Sequence, residues 1–194
     1  HLSLRRQRKM CIRDRLSADP ALTSLVLVTT CLAAAAGGIA CALTAKLVYG
    51  TLDITMFMNG VLGGLVGITA GADLMSPEEA IAIGAIAGPI VLGGVALLDK
   101  AKLDDPVGAI PVHLFCGMWG TLACGVFGAS SGLEQVGKQA AVIGIAGLFC
   151  CIGAALIVLL VKALVGLRVS EAEEAEGLDI AEHGTSAYAD FSVK

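Results

Sequence analysis

Long apolar stretches separated by short polar ones run through most of this chain of 194 residues. Five of these stretches contain no Asp, Glu, Lys or Arg, and each has the roughly 20 residues that an α-helix needs to cross a bilayer. They are Leu22–Ala45, Ile54–Ala72, Ala80–Leu98, Val107–Ala129 and Val142–Val161. None alternates apolar and polar residues as a membrane β-barrel strand does. The pattern therefore predicts an all-α fold, a polytopic transmembrane helical bundle with five spans.

The composition agrees with a membrane protein, because 56% of the residues are hydrophobic and only 15% are charged. The 25 glycines suit helices that pack closely inside a bilayer. A net charge of −4, carried largely by the C-terminal residues, gives no reason to expect a nucleic acid as partner. The seven cysteines form no CxxC pair, so we interpret those in apolar stretches as small core residues. We therefore predict no metal site and no cofactor.

The cationic residues predict the orientation of the spans. The loops after the first, third and fifth spans carry Lys46, Lys100, Lys102, Lys162 and Arg168. The loop after the second span has no Lys or Arg, and the loop after the fourth has only Lys138. Because cationic loops stay in the cytoplasm, the C-terminus is predicted to be cytoplasmic.

Three regions follow from these patterns. Residues 1–16 carry six cationic side chains on the side that should lack them, and we interpret this stretch as foreign to the protein rather than as a lipid-binding arm. Residues 17–166 form the membrane domain, and residues 167–194 a cytoplasmic tail. In the tail, Ser170 and Glu173 form a capping-box pattern, and Gly177 can end the short helix that follows. The tail is either a solvated cap or a docking surface.

One ionisable residue, His113, lies inside the fourth apolar stretch. At helical spacing it begins a row of small residues, Cys116, Gly117, Gly120 and Cys124, which either packs on a neighbouring helix or opens onto a narrow lumen. Intramembrane ionisable groups are rare and usually face a protein interior or a cavity. The histidine is either a neutral group bonded to a neighbouring helix or part of a pore or proton relay. At the start of this stretch, Asp105 is predicted to cap a helix whose first residue is Pro106.

The second apolar stretch contains the segment "NGVLGGLVGITAGA", in which five glycines give overlapping small-xxx-small spacings. Close helix packing is the expected role of these glycines. Asn59, Leu62 and Thr69 fall on roughly one helical face. Polar groups on such a face can line a path through the membrane or tie helices together.

Four ordered motifs give the chain a resemblance to the ammonium transporter (Amt/Rh) family, and to its Amt branch in particular. They are the glycine-rich segment above, "LDDPVGAIPVHLFCGMWGTL", "VGLRV", and the tail pattern "EGLD…EHG…AY". The resemblance implies the C-terminal half of an eleven-helix subunit, that is its last five helices, in a homotrimer. It also implies inverted repeats and a hydrophobic pore in each subunit.

The same resemblance implies roles for individual residues. His113 matches the second of two histidines that meet in the pore, Thr69 falls near the pore centre, and Asn59, Leu62 and Val107 line or flank the path. Ammonium would lose a proton outside and cross as ammonia. The tail implies a PII-type signalling partner, and the location implied is the cell membrane. The chain departs from many family members in having Leu114 where they have glycine.

Because the partner histidine and half of the pore wall are absent from five spans, this fragment is expected not to transport alone. Two other interpretations exist. One is an ammonium-sensing membrane module that signals through its tail. The other is a membrane enzyme with a metal bound by His113 and Cys116, which is disfavoured because the spans hold no carboxylate or second histidine. The protein is therefore expected not to be an enzyme.

Overall fold

The computed structural model describes residues 19–128 and 131–185. Within these ranges all regular secondary structure is helical, which confirms the predicted all-α fold. The elements are α1 (Pro20–Tyr49), α2 (Ile54–Thr69), α3 (Pro77–Ala101), the π-helical segment π1 (Ile110–Phe115), α4 (Cys116–Val126), α5 (Leu133–Leu164), α6 (Glu171–Glu176) and α7 (Leu178–Ala181). The chain divides into two compact units, one ending at Gly144 and the other beginning at Ile145. The basic stretch at residues 1–16 and the tail motif residue Tyr188 lie outside the described residues.

Three of the five predicted spans are long helices. α1, α3 and α5 are long and apolar enough to cross a membrane. α2 has 16 residues, a length of about 24 Å against a hydrocarbon core of about 30 Å, and the segment Ile110–Val126 is similarly short. The second span was predicted to reach Ala72, but the backbone turns after Thr69. The fourth was predicted to begin at Val107, but its helical part begins later, because Pro106 and Val107 form a turn.

Small residues let α1, α2 and α3 cross in close contact. A Cβ added at Gly64 of α2 or at Gly84 of α3 would overlap the backbone of Ala33 in α1. One turn along, a Cβ at Gly88 of α3 would lie 2.6 Å from the backbone nitrogen of Cys41 in α1. The predicted role of the glycine-rich segment in helix packing is therefore confirmed.

Two polar side chains tie distant parts of the first unit together. Thr29 is fully buried, and its hydroxyl donates to the carbonyl of Ala72 at 2.8 Å. Glu79 accepts from the backbone N–H of Ser76 at 2.8 Å and from that of Gly128 at 2.9 Å. The same carboxylate thus completes the capping box of α3 and holds the turn that follows α4.

The second unit contains the end of α5 and the two short helices of the tail. None of the 32 residues of α5 is buried. The predicted capping box of the tail is confirmed, since Ser170 Oγ accepts from the Glu173 N–H at 3.3 Å and Glu173 accepts from the Ser170 N–H at 2.9 Å. Gly177 follows α6 with a φ of 98°, as expected for a residue that ends a helix.

Candidate functional site

His113 lies in π1, the wide helical turn that leads into α4. The N–H of Cys116 reaches back to the carbonyl of Pro111, five residues earlier, which is the hydrogen bond that defines a π-helix. Pro111 and Val112 are buried, whereas His113 and Leu114 are exposed. A π turn inserts one residue into the helical repeat, so it changes the direction of His113 relative to the residues of α4. Such insertions occur frequently at functional sites.

The small residues that follow His113 pack on neighbouring helices. The thiol of Cys116 is buried and donates to the Ala87 carbonyl at 3.7 Å. A Cβ at Gly120 would overlap the backbone of Gly67 in α2. For these two positions the structure therefore supports packing over the open-lumen alternative, and the histidine itself is not part of that contact.

Two candidate residues of α2 share an exposed face. Leu62 is 45% exposed, and Thr69 is exposed with its hydroxyl donating to the Leu65 carbonyl at 2.6 Å. Val66 lies between them along this face, and its Cγ1 is 3.9 Å from the position of a Cβ at Gly117. Gly117 is one turn beyond His113. α2 thus lies beside α4 at Gly117, and it also contacts π1, the turn that carries His113.

Asn59 and Val107 are brought together in a different way. Asn59 is buried, and its side-chain amide donates to the Val107 carbonyl at 3.2 Å. The Val107 side chain is 67% exposed. Of the five residues predicted for a path, His113, Thr69, Leu62 and Val107 are thus exposed and Asn59 is not.

The helix start at Asp105 differs from the prediction. Pro106 is not the first helical residue, because Gly108 adopts a φ of 74° and the helix begins two residues later. The N-cap is therefore Ala109 rather than Asp105, but the two carboxylate oxygens of Asp105 accept from the N–H groups of Ala109 at 2.9 Å and Ile110 at 2.8 Å. The pKa of Asp105 is lowered, first by the hydrogen bond from Ile110. Burial, the next largest effect, opposes this, and weaker hydrogen bonds from Ala109, Gly108 and Val107 add to the lowering.

Sequence reasoning missed three interactions around this site. The indole N–H of Trp119 donates to the Ile83 carbonyl at 3.1 Å, and its ring meets Phe127 edge-on at a centroid distance of 6.4 Å. Glu79 reaches the Gly128 amide, as described above. The Ser76-x-x-Glu79 spacing could have indicated the bond between Glu79 and Ser76, but not the one to Gly128.

In the described part of the chain, no three His, Cys, Asp or Glu side chains are grouped so that they could hold a metal ion.

Apolar helices of membrane-spanning length that cross at glycines define a polytopic helical membrane protein.

The comparisons with known proteins specify that class further. Residues 14–188 match the model of the Ammonium Transporter Family. Ammonium transporter Amt2 of Archaeoglobus fulgidus is 40% identical over 195 aligned positions, which cover 91% of this chain and 41% of that protein. Ammonium transporter Amt2 of Methanocaldococcus jannaschii is 39% identical over 182 positions, covering 89% of this chain and 41% of that protein. The solved structure of a "Sensor Amt Protein" superposes with a TM-score of 0.79 at 31% identity, covering 86% of this chain and 43% of that one.

The chain belongs to the ammonium transporter family. It spans about two fifths of the length of the curated relatives that it matches.

Proposed function

We propose that the protein to which this chain contributes moves ammonium across a membrane by carrying ammonia through an apolar path beside His113. The supporting observation is the exposed imidazole of His113 on a π turn, next to the exposed face of α2, in a chain of the ammonium transporter family. Thr69 and Leu62 lie along this path, Val107 lies at its end near the start of π1, and Asn59 flanks it.

Physical chemistry favours a neutral permeant on such a path. An ammonium ion would lose its hydration on entering an apolar lumen, and that loss costs far more than the transfer of neutral ammonia. A neutral imidazole carries one donor and one acceptor, so His113 can exchange hydrogen bonds with ammonia without introducing a charge. The resemblance implies a second histidine from the other half of the subunit. Together with it, His113 would guide the ammonia molecule and relay the proton that ammonium loses.

The proposal extends to the assembly and its location. The whole protein would be a homotrimer in the cell membrane, with a cytoplasmic C-terminus, and residues 17–194 alone would not transport. The tail would bind a PII-type signalling protein. Deletion of residues 170–194 should then abolish binding of the PII protein to membranes that contain the trimer, whereas unchanged binding would contradict this part of the proposal.

A sensing role is the second candidate, because a solved structure that this chain resembles is titled "Sensor Amt Protein". In that role the protein would signal through its tail and conduct little. Measured flux separates the two candidates, since a sensor that conducts little would fail the uptake assay that a transporter passes.

The test is a chimera in which residues 17–188 of this chain replace the matching part of the Archaeoglobus fulgidus Amt2 protein. Reconstituted in liposomes, the chimera should take up labelled methylammonium, and His113→Ala should reduce that uptake strongly. Thr44→Val, which removes only a hydrogen bond within α1, is the control and should have little effect. Uptake by the chimera that is unaffected by His113→Ala would overturn the path proposed here, and uptake by residues 17–194 alone would overturn their proposed inactivity.

A further inference from the structure

The turn that carries His113 begins with a defect in its backbone hydrogen bonding. Val112 donates to the Gly108 carbonyl at 3.2 Å, so the spacing here is that of an α-helix, four residues back. The preceding residue, Pro111, has no N–H to donate. In the same spacing Pro111 would have paired with the Val107 carbonyl, which is therefore left without a helical donor.

Asn59 supplies the missing donor from another helix. Its side-chain N–H bonds the Val107 carbonyl at 3.2 Å, across a separation of 48 residues. Gly108 makes this approach possible, because a Cβ at that position would lie 2.7 Å from Asn59 Nδ2. The φ of 74° at Gly108 is also one that other residues rarely adopt. The burial of Asn59 is thus explained by a contact with the backbone of this turn.

Asp105 satisfies the other end of the same turn. The first N–H groups of a helix have no partner within it, and here the Ala109 and Ile110 N–H groups each bond one carboxylate oxygen. The neighbouring Asp104 has the same chemistry and is exposed, but it receives neither of these bonds. Residues 107–110 are therefore held by an amide from α2 and by a carboxylate from the preceding loop.

We propose that Asn59 and Asp105 are positioning residues that fix the start of π1 and thereby set the direction of the His113 imidazole. His113 lies three residues after Ile110, the last residue whose N–H bonds Asp105. If either contact were lost, the segment could relax from the wider π turn towards a regular α-helix, which would rotate His113 about the helix axis. Only the transport measurement below rests on the proposed function.

The structural test is NMR spectroscopy of the 194-residue chain in detergent micelles. One sample carries ¹³C and ¹⁵N in histidine only, and a second, uniformly labelled sample serves the hydrogen-exchange measurement. His113→Gln assigns the imidazole signals of residue 113, and His1 and His183 are internal references. Asp105→Ala should move the His113 signals, leave both references unchanged, and speed hydrogen exchange of the Ala109 and Ile110 amides by roughly five-fold or more.

Graded variants separate positioning from general damage. Asp105→Asn keeps one acceptor oxygen and should give a smaller shift of the His113 signals than Asp105→Ala, and Asp104→Ala should give none. Asn59→Leu removes the donor at similar volume and should move the His113 signals. Thr29→Val weakens the bundle elsewhere and should not move them. Emission from Trp119, the single tryptophan, shows whether each variant keeps the packed bundle.

Unchanged His113 signals in Asp105→Ala and Asn59→Leu, with normal Trp119 emission, would overturn the proposal. An equal shift in Asp104→Ala would also overturn it. If both variants lose the Trp119 signature, Asp105→Asn decides, because absence of any His113 shift in a folded Asp105→Asn protein counts against positioning.

The chimera gives the functional readout. Asp105→Asn should lower the maximal uptake rate several-fold and leave the half-saturating concentration nearly unchanged, because the family resemblance implies that ammonium is recruited at an outer site formed by spans other than these five. A change confined to the half-saturating concentration would contradict the inference. An unmodified chimera that does not transport would refute the proposed function, while the histidine signals would still decide the positioning role.

Discussion

Replacement of Gly84 by alanine tests the crossing of α1 and α3 directly. The added Cβ would overlap the carbonyl oxygen of Ala33 and lie 2.8 Å from its Cα and its carbonyl carbon, whereas ordinary contacts begin at 3.4 Å. The obstacle is backbone and cannot rotate away, so α1 and α3 would have to separate by about half an ångström or more. α1 also packs on Gly64 of α2 at the same residue, so a shift of α1 disturbs both contacts.

The expected magnitude follows from two opposing effects. Overpacking of this kind costs about 1–3 kcal/mol, and the absence of a flexible neighbour places Gly84→Ala towards the upper end. Alanine regains up to about 1 kcal/mol through its higher helix propensity. We therefore expect a net loss of about 2 kcal/mol in the free energy of unfolding.

Unfolding by SDS in mixed micelles, followed by Trp119 emission, measures this loss. Gly93→Ala is the matched control, since Gly93 lies on the same helix and a Cβ there would meet nothing within 4 Å. The control should be neutral or stabilising by up to about 1 kcal/mol. Equal stabilities of the Gly84→Ala and Gly93→Ala proteins would refute the close crossing described here.

Three further expectations concern polar contacts outside the candidate path. Thr29→Val should cost about 0.5–1 kcal/mol in the same unfolding assay, because it removes a buried bond to the turn after α2, whereas Thr44→Val removes only a bond within α1 and should cost less. Glu79→Gln should cost about 1 kcal/mol, because an amide oxygen cannot accept from both of the backbone N–H groups that the partly exposed carboxylate holds. In the tail, hydrogen bonds from Ser170 lower the pKa of Glu173. A lowered pKa stabilises α6 at neutral pH, so helical carbon chemical shifts of α6 should persist at neutral pH and be lost only as the pH falls through the lowered value.

Features encoded by neighbouring residues were predictable from the sequence. The apolar stretches predicted α1 and α3 to within four residues at each end, because a run without charges can only be buried in a bilayer or a core. α5 begins nine residues before its predicted start at Val142, because its first turns carry Glu134 and Lys138 and so lie outside the uncharged run. The capping box at Ser170 depends on residues three apart and was found directly. The glycine spacings predicted close crossings, since small residues at four-residue intervals lie on one helical face.

The π turn could not be predicted, because only part of what holds its start is local. Pro111 and Gly108 are visible in the sequence, but they indicate only an irregular start. The start is held by the nearby Asp105 and also by an amide 48 residues away, which no local pattern indicates. The helical periodicity used to place His113 above Cys116 and Gly120 assumed a regular α-helix. The wider turn invalidates that assumption at the position where it matters most.

Four polar residues of the membrane helices differ in burial and in bonding, and the difference bears on function. Thr29 and Asn59 are buried, and each donates to a backbone carbonyl of another segment, so packing accounts for them. Thr69 and His113 are exposed, and Thr69 bonds only within its own helix. Periodicity placed Asn59 and Thr69 on one face, but it carries no information about which part of that face another segment covers. Packing within these helices therefore does not account for Thr69 and His113. A polar group in an apolar helix is costly to keep in a membrane unless something binds to it. That cost is the physical reason for proposing that the path runs beside Thr69 and His113, with Asn59 as a support next to it.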